Sequence, residues 1–116
     1  MRLHSYSCAA ADPSESVRVL SVSGEVDFSV EQRFLEAVET AALEAETLVI
    51  DLNDVQYMDS LGLRVLVRAH RLMHRRGGSL AVVANAPLIR RILRLTGLDG
   101  LFSVCENLEH ALARSG

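Results

Sequence analysis

The sequence predicts a single α/β domain over residues 1–116, with a mixed β-sheet of about five strands and helices packed mainly on one side. Three observations predict it. Thr47-Leu48-Val49-Ile50-Asp51-Leu52 is a nearly continuous β-favouring run, the pattern of a parallel strand covered on both faces. A long amphipathic run begins at Leu61, soon after that strand, so a buried strand hands over to a helix. Ser79 to Ala84 followed by Pro87 to Leu95 repeats the same alternation.

Taken in order, Leu3 to Cys8 reads as a short edge strand and Ala9 to Ser16, with Asp12-Pro13-Ser14, as a turn. Val17 to Ser23 alternates as a strand that ends at Gly24, completing an N-terminal hairpin. Ser29-Val30-Glu31-Gln32 has the form of a capping box, with Ser29 as cap, and opens a helix to about Ala45. Phe34, Val38, Ala41 and Ala42 share its apolar face, while Glu31, Glu36, Glu39 and Glu46 supply the polar side. The strand from Thr47 to Leu52 comes next, then an Asn53 to Met58 connection and a helix from about Leu61 to Arg76 that stops at Gly77-Gly78. Beyond the Ser79 to Ala84 strand, Pro87 fits the first turn of a helix that runs to Leu95 and stops at Gly97. Leu101 to Val104 is a last short strand, and Asn107 caps a closing helix through Ala113.

Composition narrows the function classes. No apolar stretch approaches the roughly 18 to 20 residues of a membrane span, and Met1-Arg2-Leu3-His4-Ser5 lacks a signal peptide's apolar block, so a soluble, cytoplasmic chain is expected. Cys8 and Cys105 form no metal or redox spacing and read as reduced, half-buried residues. His70 and His74 stand four apart, but without a glutamate base or third ligand they read as core or surface histidines. There is no Gly-x-Ser-x-Gly elbow and no Walker glycine loop, so neither an enzyme nor a resident cofactor is expected. Residues 1–59 carry 3 Arg and 12 Asp+Glu, whereas residues 60–116 carry 9 Arg and 3 Asp+Glu, a change from −9 to +6 at one boundary. Arg90, Arg91 and Arg94 suggest a nucleic-acid patch, but the net charge of −3 and the few aromatics favour a solvated helix face.

That charge boundary falls at Tyr57-Met58-Asp59-Ser60-Leu61-Gly62-Leu63. Asp59 or Ser60 serves as the helix N-cap, leaving the first-turn amides pointing at whatever sits above Ser60. A phosphate on Ser60 would be well tolerated there, so a reversible charge switch fits this position. At about 100° per residue, Leu63, Leu66, Val67, His70 and Met73 fall on a core side, and Arg64, Arg68, Arg71 and Arg75 on another. Leu61, Val65 and Leu72 form a third stripe roughly opposite the core centre, where apolar residues rimmed by arginine suit a protein-docking face.

Asp59-Ser60-Leu61-Gly62-Leu63, with Gly24-Glu25-Val26-Asp27 upstream and Thr96-Gly97-Leu98-Asp99 downstream, resembles the STAS family, particularly the bacterial anti-sigma factor antagonists. The resemblance runs from about Val17 to about Leu112 and implies a STAS-like fold. It further implies that Ser60 is phosphorylated by a partner that is both anti-sigma factor and serine kinase, which brings ATP and Mg²⁺. Asp27 matches the family's acidic position near that serine; read without the resemblance, it is a turn carboxylate beside Ser29. Leu61 stands where the family usually has a second serine or threonine. The docking surface expected on this basis is Asp27, Asp59, Ser60, Leu61, Gly62, Arg64, Val65 and Arg68, with Gly62 allowing close approach of the partner. A structural STAS subunit of a stressosome-like or transport complex and a nucleotide or small-ligand module are the alternatives, and a weak homodimer is left open.

Overall fold

The computed structural model describes residues 6–115. Its elements are β1 (Ser7–Ala11), β2 (Val17–Val26), α1 (Glu31–Ala42), β3 (Thr47–Met58), α2 (Ser60–Arg75), β4 (Ser79–Val83), α3 (Pro87–Leu95), a 3₁₀ turn (Leu98–Gly100), β5 (Ser103–Cys105) and α4 (Leu108–Ser115). The five strands form one sheet in the order β1-β2-β3-β4-β5. β1 pairs antiparallel with β2 through a hairpin, and every later neighbour is parallel. Each parallel pair requires a crossover, which α1, α2 and α3 supply in turn. The result is the expected mixed α/β sheet.

Alternation along the strands decides which helix each side chain meets. Leu20, Leu48, Ile50 and Val82 face a core shared with Phe34 and Val38 of α1, Leu66 and Met73 of α2, and Ile89 and Leu93 of α3. Val17, Val19, Val49, Ala81 and Val83 point the other way, where only α4 covers them, through Ala111 with Leu108 and Leu112. Three helices on one face and one on the other agree with the layering the sequence predicts. Neither cysteine forms a disulfide, as expected; Cys8 is half-buried, whereas Cys105 is fully buried rather than half-buried because it faces α4 from β5.

Several boundaries differ, each for a physical reason. β3 does not stop at Leu52 but runs to Met58, paired with a longer β2 through Gly24↔Val55, Glu25↔Tyr57 and Val26↔Met58. Two register shifts, between Ser21 and Ser23 and between Gly24 and Glu25, absorb the polar Asn53-Asp54 interruption that reads as a loop in sequence. Asn53 is itself a tie: its Oδ1 accepts from the Asn85 amide at 2.8 Å, and its Nδ2 donates to the Glu106 carbonyl at 3.4 Å. The capping box at Ser29 does not form. Val30 is the residue before α1, with no side-chain cap, because the Asp27 carboxylate takes both the Ser29 amide (3.0 Å) and the Ser29 hydroxyl (2.6 Å). A charged acceptor outcompetes a neutral one for these donors. α1 also ends at Ala42 rather than near Ala45.

The predicted strand from Leu3 to Cys8 lies partly outside the described residues, and β1 occupies Ser7–Ala11, an alanine-rich segment whose place comes from backbone pairing with Val19 to Ser23. β5 sits at Ser103–Cys105, displaced from Leu101 to Val104 by the unforeseen 3₁₀ turn. The helix stops hold. Gly77 and Gly97 adopt φ of 74° and 76°, and the Gly78 amide donates back to the Met73 carbonyl at 2.8 Å. The Asn107 cap also forms, its Oδ1 accepting from the His110 amide at 2.8 Å.

The largest correction concerns the orientation of α2. Its buried residues are Gly62, Val65, Leu66, Ala69 and Met73, a face turned by roughly 80° from the predicted core stripe. Small residues hid it. Gly62 and Ala69 contribute little hydrophobicity, yet they mark where α2 lies closest to its neighbours. A Cβ on Gly62 would meet Met58 Cγ at 2.6 Å and Val26 Cγ1 at 3.0 Å, so the close approach serves the protein's own β2 and β3 rather than a partner.

Gly62→Val is therefore expected to cost about 1–3 kcal/mol in urea unfolding through overpacking, while Gly100→Ala, with nothing within 4 Å of its Cβ position, stays near neutral.

Candidate functional site

The C-terminal ends of β2 and β3 and the start of α2 converge on Asp59. This residue is extended (φ −96°, ψ −174°), as an N-cap requires, and uses nearly every polar atom it has. Its amide donates to the Val26 carbonyl at 3.1 Å and its carbonyl accepts from Leu63 at 3.2 Å. Oδ1 accepts from the Leu61 and Gly62 amides at 2.9 and 3.2 Å, and Oδ2 accepts from the Phe28 amide at 3.1 Å. One side chain thus caps α2 and fastens the loop that leaves β2. The expectation that the first-turn amides point freely above Ser60 is corrected for Leu61 and Gly62, which donate inward to Asp59. An anion above Ser60 cannot use them without displacing that carboxylate.

Ser60 is the first residue of α2 and is exposed. Asp27 is half-buried in the β2–α1 loop, where its carboxylate organises the turn around Ser29, which is the turn role that its residues alone suggest. Arg64 and Arg68, with Arg71 and Arg75 further along, are exposed on the outer side of α2. The ion pairs among the described residues are made by Arg18 and Arg90, which leaves this stripe without internal carboxylate partners.

Two of the expected docking residues are not on the surface. Val65 is only 2% exposed and belongs to the core, and Gly62 is buried. Leu61 and Leu72 are half-buried, and Leu72 packs at the core margin rather than being displayed. The predicted apolar stripe on α2 does not exist as an exposed feature, because α1 and the sheet together cover a wider arc of the helix than the sheet alone would. The exposed apolar residue at this corner is instead Phe28, 74% exposed, whose amide is tied to Asp59. Sequence reasoning missed it. The available signal was an aromatic side chain between Asp27 and Ser29, in a polar loop, in a chain with few aromatics. Tyr57 is exposed at the same sheet end, but adjacent residues of a strand point oppositely, so it turns away from the face that buries Met58.

His70 is half-buried and stacks on exposed His74 with ring centroids 5.7 Å apart, and no metal-holding cluster of three His, Cys, Asp or Glu occurs among the described residues. Burial pushes the Tyr6 phenol and the Cys8 thiol above their ordinary pKa values, which disfavours a reactive thiolate. Among the described residues no helix is long and apolar enough to cross a membrane.

Comparison with known proteins places this geometry in company. The family model for the STAS domain matches residues 9–111. The chain is 31% identical to an anti-sigma F factor antagonist of Paenibacillus polymyxa, with 83% of this chain and 84% of the relative covered. It is 35% identical to the anti-sigma-F factor antagonist RsfB of Mycobacterium tuberculosis, covering 83% of this chain and 79% of that protein. A crystal structure of an anti-sigma factor antagonist from Mycobacterium paratuberculosis superposes with a TM-score of 0.87 at 33% identity, covering 95% of this chain and 93% of that one.

Asp59→Ala should lower stability by about 1–2 kcal/mol in urea unfolding through loss of the cap. Hydrogen exchange should locate the loosening at Phe28 and the first turn of α2; uniform loosening across the sheet would contradict the clamp role.

Proposed function

The chain belongs to the STAS domain family, and from that premise we propose that it is an anti-sigma factor antagonist whose unmodified form captures an anti-sigma factor with serine-kinase activity and so frees a sigma factor. Phosphorylation of Ser60 ends the capture. The partner supplies ATP and Mg²⁺: the Ser60 hydroxyl oxygen takes the γ-phosphoryl group, ADP leaves, and the hydroxyl proton passes to a base of the partner. In this reading the chain is the substrate rather than the catalyst.

The observation that carries the reading is an exposed serine at the first position of α2, directly after an aspartate whose carboxylate is already committed to the fold. Ser60 is therefore held on a rigid platform yet free to be modified without unfolding anything. The docking surface is revised from the sequence expectation to Phe28, Asp27, Ser60, Arg64 and Arg68, with the edge of Leu61, while Asp59 and Gly62 act by shaping it. Phe28 supplies an aromatic anchor of the kind that dominates binding energy at interfaces.

Switching follows from electrostatics. A phosphate adds nearly two negative charges beside Asp59 and Asp27. Docking would then bury a dianion without a partner group, and a desolvation penalty of about 3 kcal/mol weakens binding about a hundredfold. The same crowding argues against nucleotide binding at this helix start, since its cap carboxylate already fills the amide site.

Wild-type and Ser60→Ala baits are expected to retain an ATPase-type kinase from the source cytosol, and phosphorylated protein to release it. Retention of the same non-kinase proteins by every bait would point to a scaffold subunit instead. Phe28→Ala should weaken capture at least tenfold while leaving the urea midpoint within about 0.5 kcal/mol of wild type, since its ring is exposed. Unchanged affinity would remove it from the interface.

A further inference from the structure

We propose that a phosphate on Ser60 is gripped in cis by the guanidinium of Arg64, so that modification both adds charge to the docking face and withdraws Arg64 from it. The inference rests on the reading of Ser60 as the modified residue, but it concerns this chain alone.

The geometry is local. Ser60 opens α2 and Arg64 follows one turn later, both exposed. Residues four apart on a helix are neighbours, about 5–6 Å between Cβ atoms, and an acidic group N-terminal to a basic one is the favourable order. A phosphate at a helix start ordinarily draws on the first-turn amides. Here the Leu61 and Gly62 amides are held by Asp59 Oδ1 at 2.9 and 3.2 Å. Of the first-turn amides this leaves that of Ser60 itself, so the remaining phosphate oxygens need a side-chain donor.

Toward this corner the elements carry Glu25 of β2, Asp27 of the following loop, Glu31 and Arg33 of α1, Asp54 of β3, Asp59, and Arg64 and Arg68 of α2. Of the two arginines on α2, Arg64 is the nearer to Ser60. Arg33 of α1 is engaged elsewhere, its guanidinium lying 4.9 Å from the centroid of the Tyr6 ring. Arg68 stands two turns from Ser60, about 12 Å along the axis. Arg64 makes none of the ion pairs found among the described residues, so it has no carboxylate to release before turning to the phosphate. Its planar fork donates to two phosphate oxygens at once, which a point charge does not.

The consequence is a switch with two parts. Unmodified protein offers Arg64 to a carboxylate of the partner. Modified protein offers neither a free guanidinium nor a neutral hydroxyl at the same place.

The test uses the full chain with phosphoserine inserted at position 60 during translation, so that no kinase or binding partner is involved. The second ionisation of the phosphate, ordinarily near pH 6, is followed by ³¹P NMR in the parent, Arg64→Gln, Arg64→Lys and Arg75→Gln backgrounds. Arg75→Gln removes the same charge about 22 Å down the helix. The expected result is that Arg64→Gln raises the midpoint by several tenths of a pH unit, Arg64→Lys recovers part of that shift, and Arg75→Gln leaves it within a tenth. Equal shifts for Arg64→Gln and Arg75→Gln, or no shift for either, would overturn the pairing. Either outcome is separate from the fate of the proposed function, which fails only if no kinase partner is captured and released.

Discussion

Everything at the functional corner depends on the Asp59 carboxylate. One oxygen closes the open amides of α2 and the other holds the Phe28 amide, while the Asp59 backbone is tied to Val26. Three separate pieces of chain, the end of β2, the loop after it and the start of α2, are thereby fixed to one residue. Hydrogen bonds to a charged acceptor are each worth more than neutral ones, and half-burial limits competition from water. Ser60 inherits a defined position from this arrangement without taking part in it. A hydroxyl that caps its own helix would lose its cap when modified. Here the cap is Asp59 and the exposed hydroxyl belongs to its neighbour, so a group added to Ser60 would leave the cap's hydrogen bonds in place.

The platform is rigid for a second reason, the tight seating of α2 on Val26 and Met58 through Gly62. The strand ends that carry Asp27 and Asp59 are the ones that α2 presses upon, so packing and capping hold the same corner from two directions. Glutamates of α1 and arginines of α2 ride on helices packed against the same face of the sheet, without forming ion pairs with one another among the described residues. The basic half is the half that carries Ser60.

Much of the fold was legible because it rests on local chemistry. The apolar strands around Val49 and Val82, the crossover helices, the glycine stops at Gly77 and Gly97, and the Asn107 cap all follow from periodicity and backbone preference. The family motif around Asp59 and Ser60 was likewise readable. Failures cluster where a residue's role depends on a distant neighbour. Ser29 looked like a cap until Asp27 took its donors. Asn53 to Met58 looked like a loop until the extended β2 paired with it.

Residue order alone thus determined the α/β class, the position of Ser60 at a helix start, and the sign of charge on either side of it. These follow from propensities and spacings that act within a few residues. Only the tertiary structure decided which face of α2 is buried, because that depends on α1 and the sheet closing on Gly62, Val65 and Ala69 together. It moved Val65 into the core and brought Phe28 out to stand beside Ser60's helix. A hydrophobic side chain is driven from water whichever neighbour receives it. The sequence therefore says that Val65 and Phe28 are apolar, but only the packing says which of them found cover.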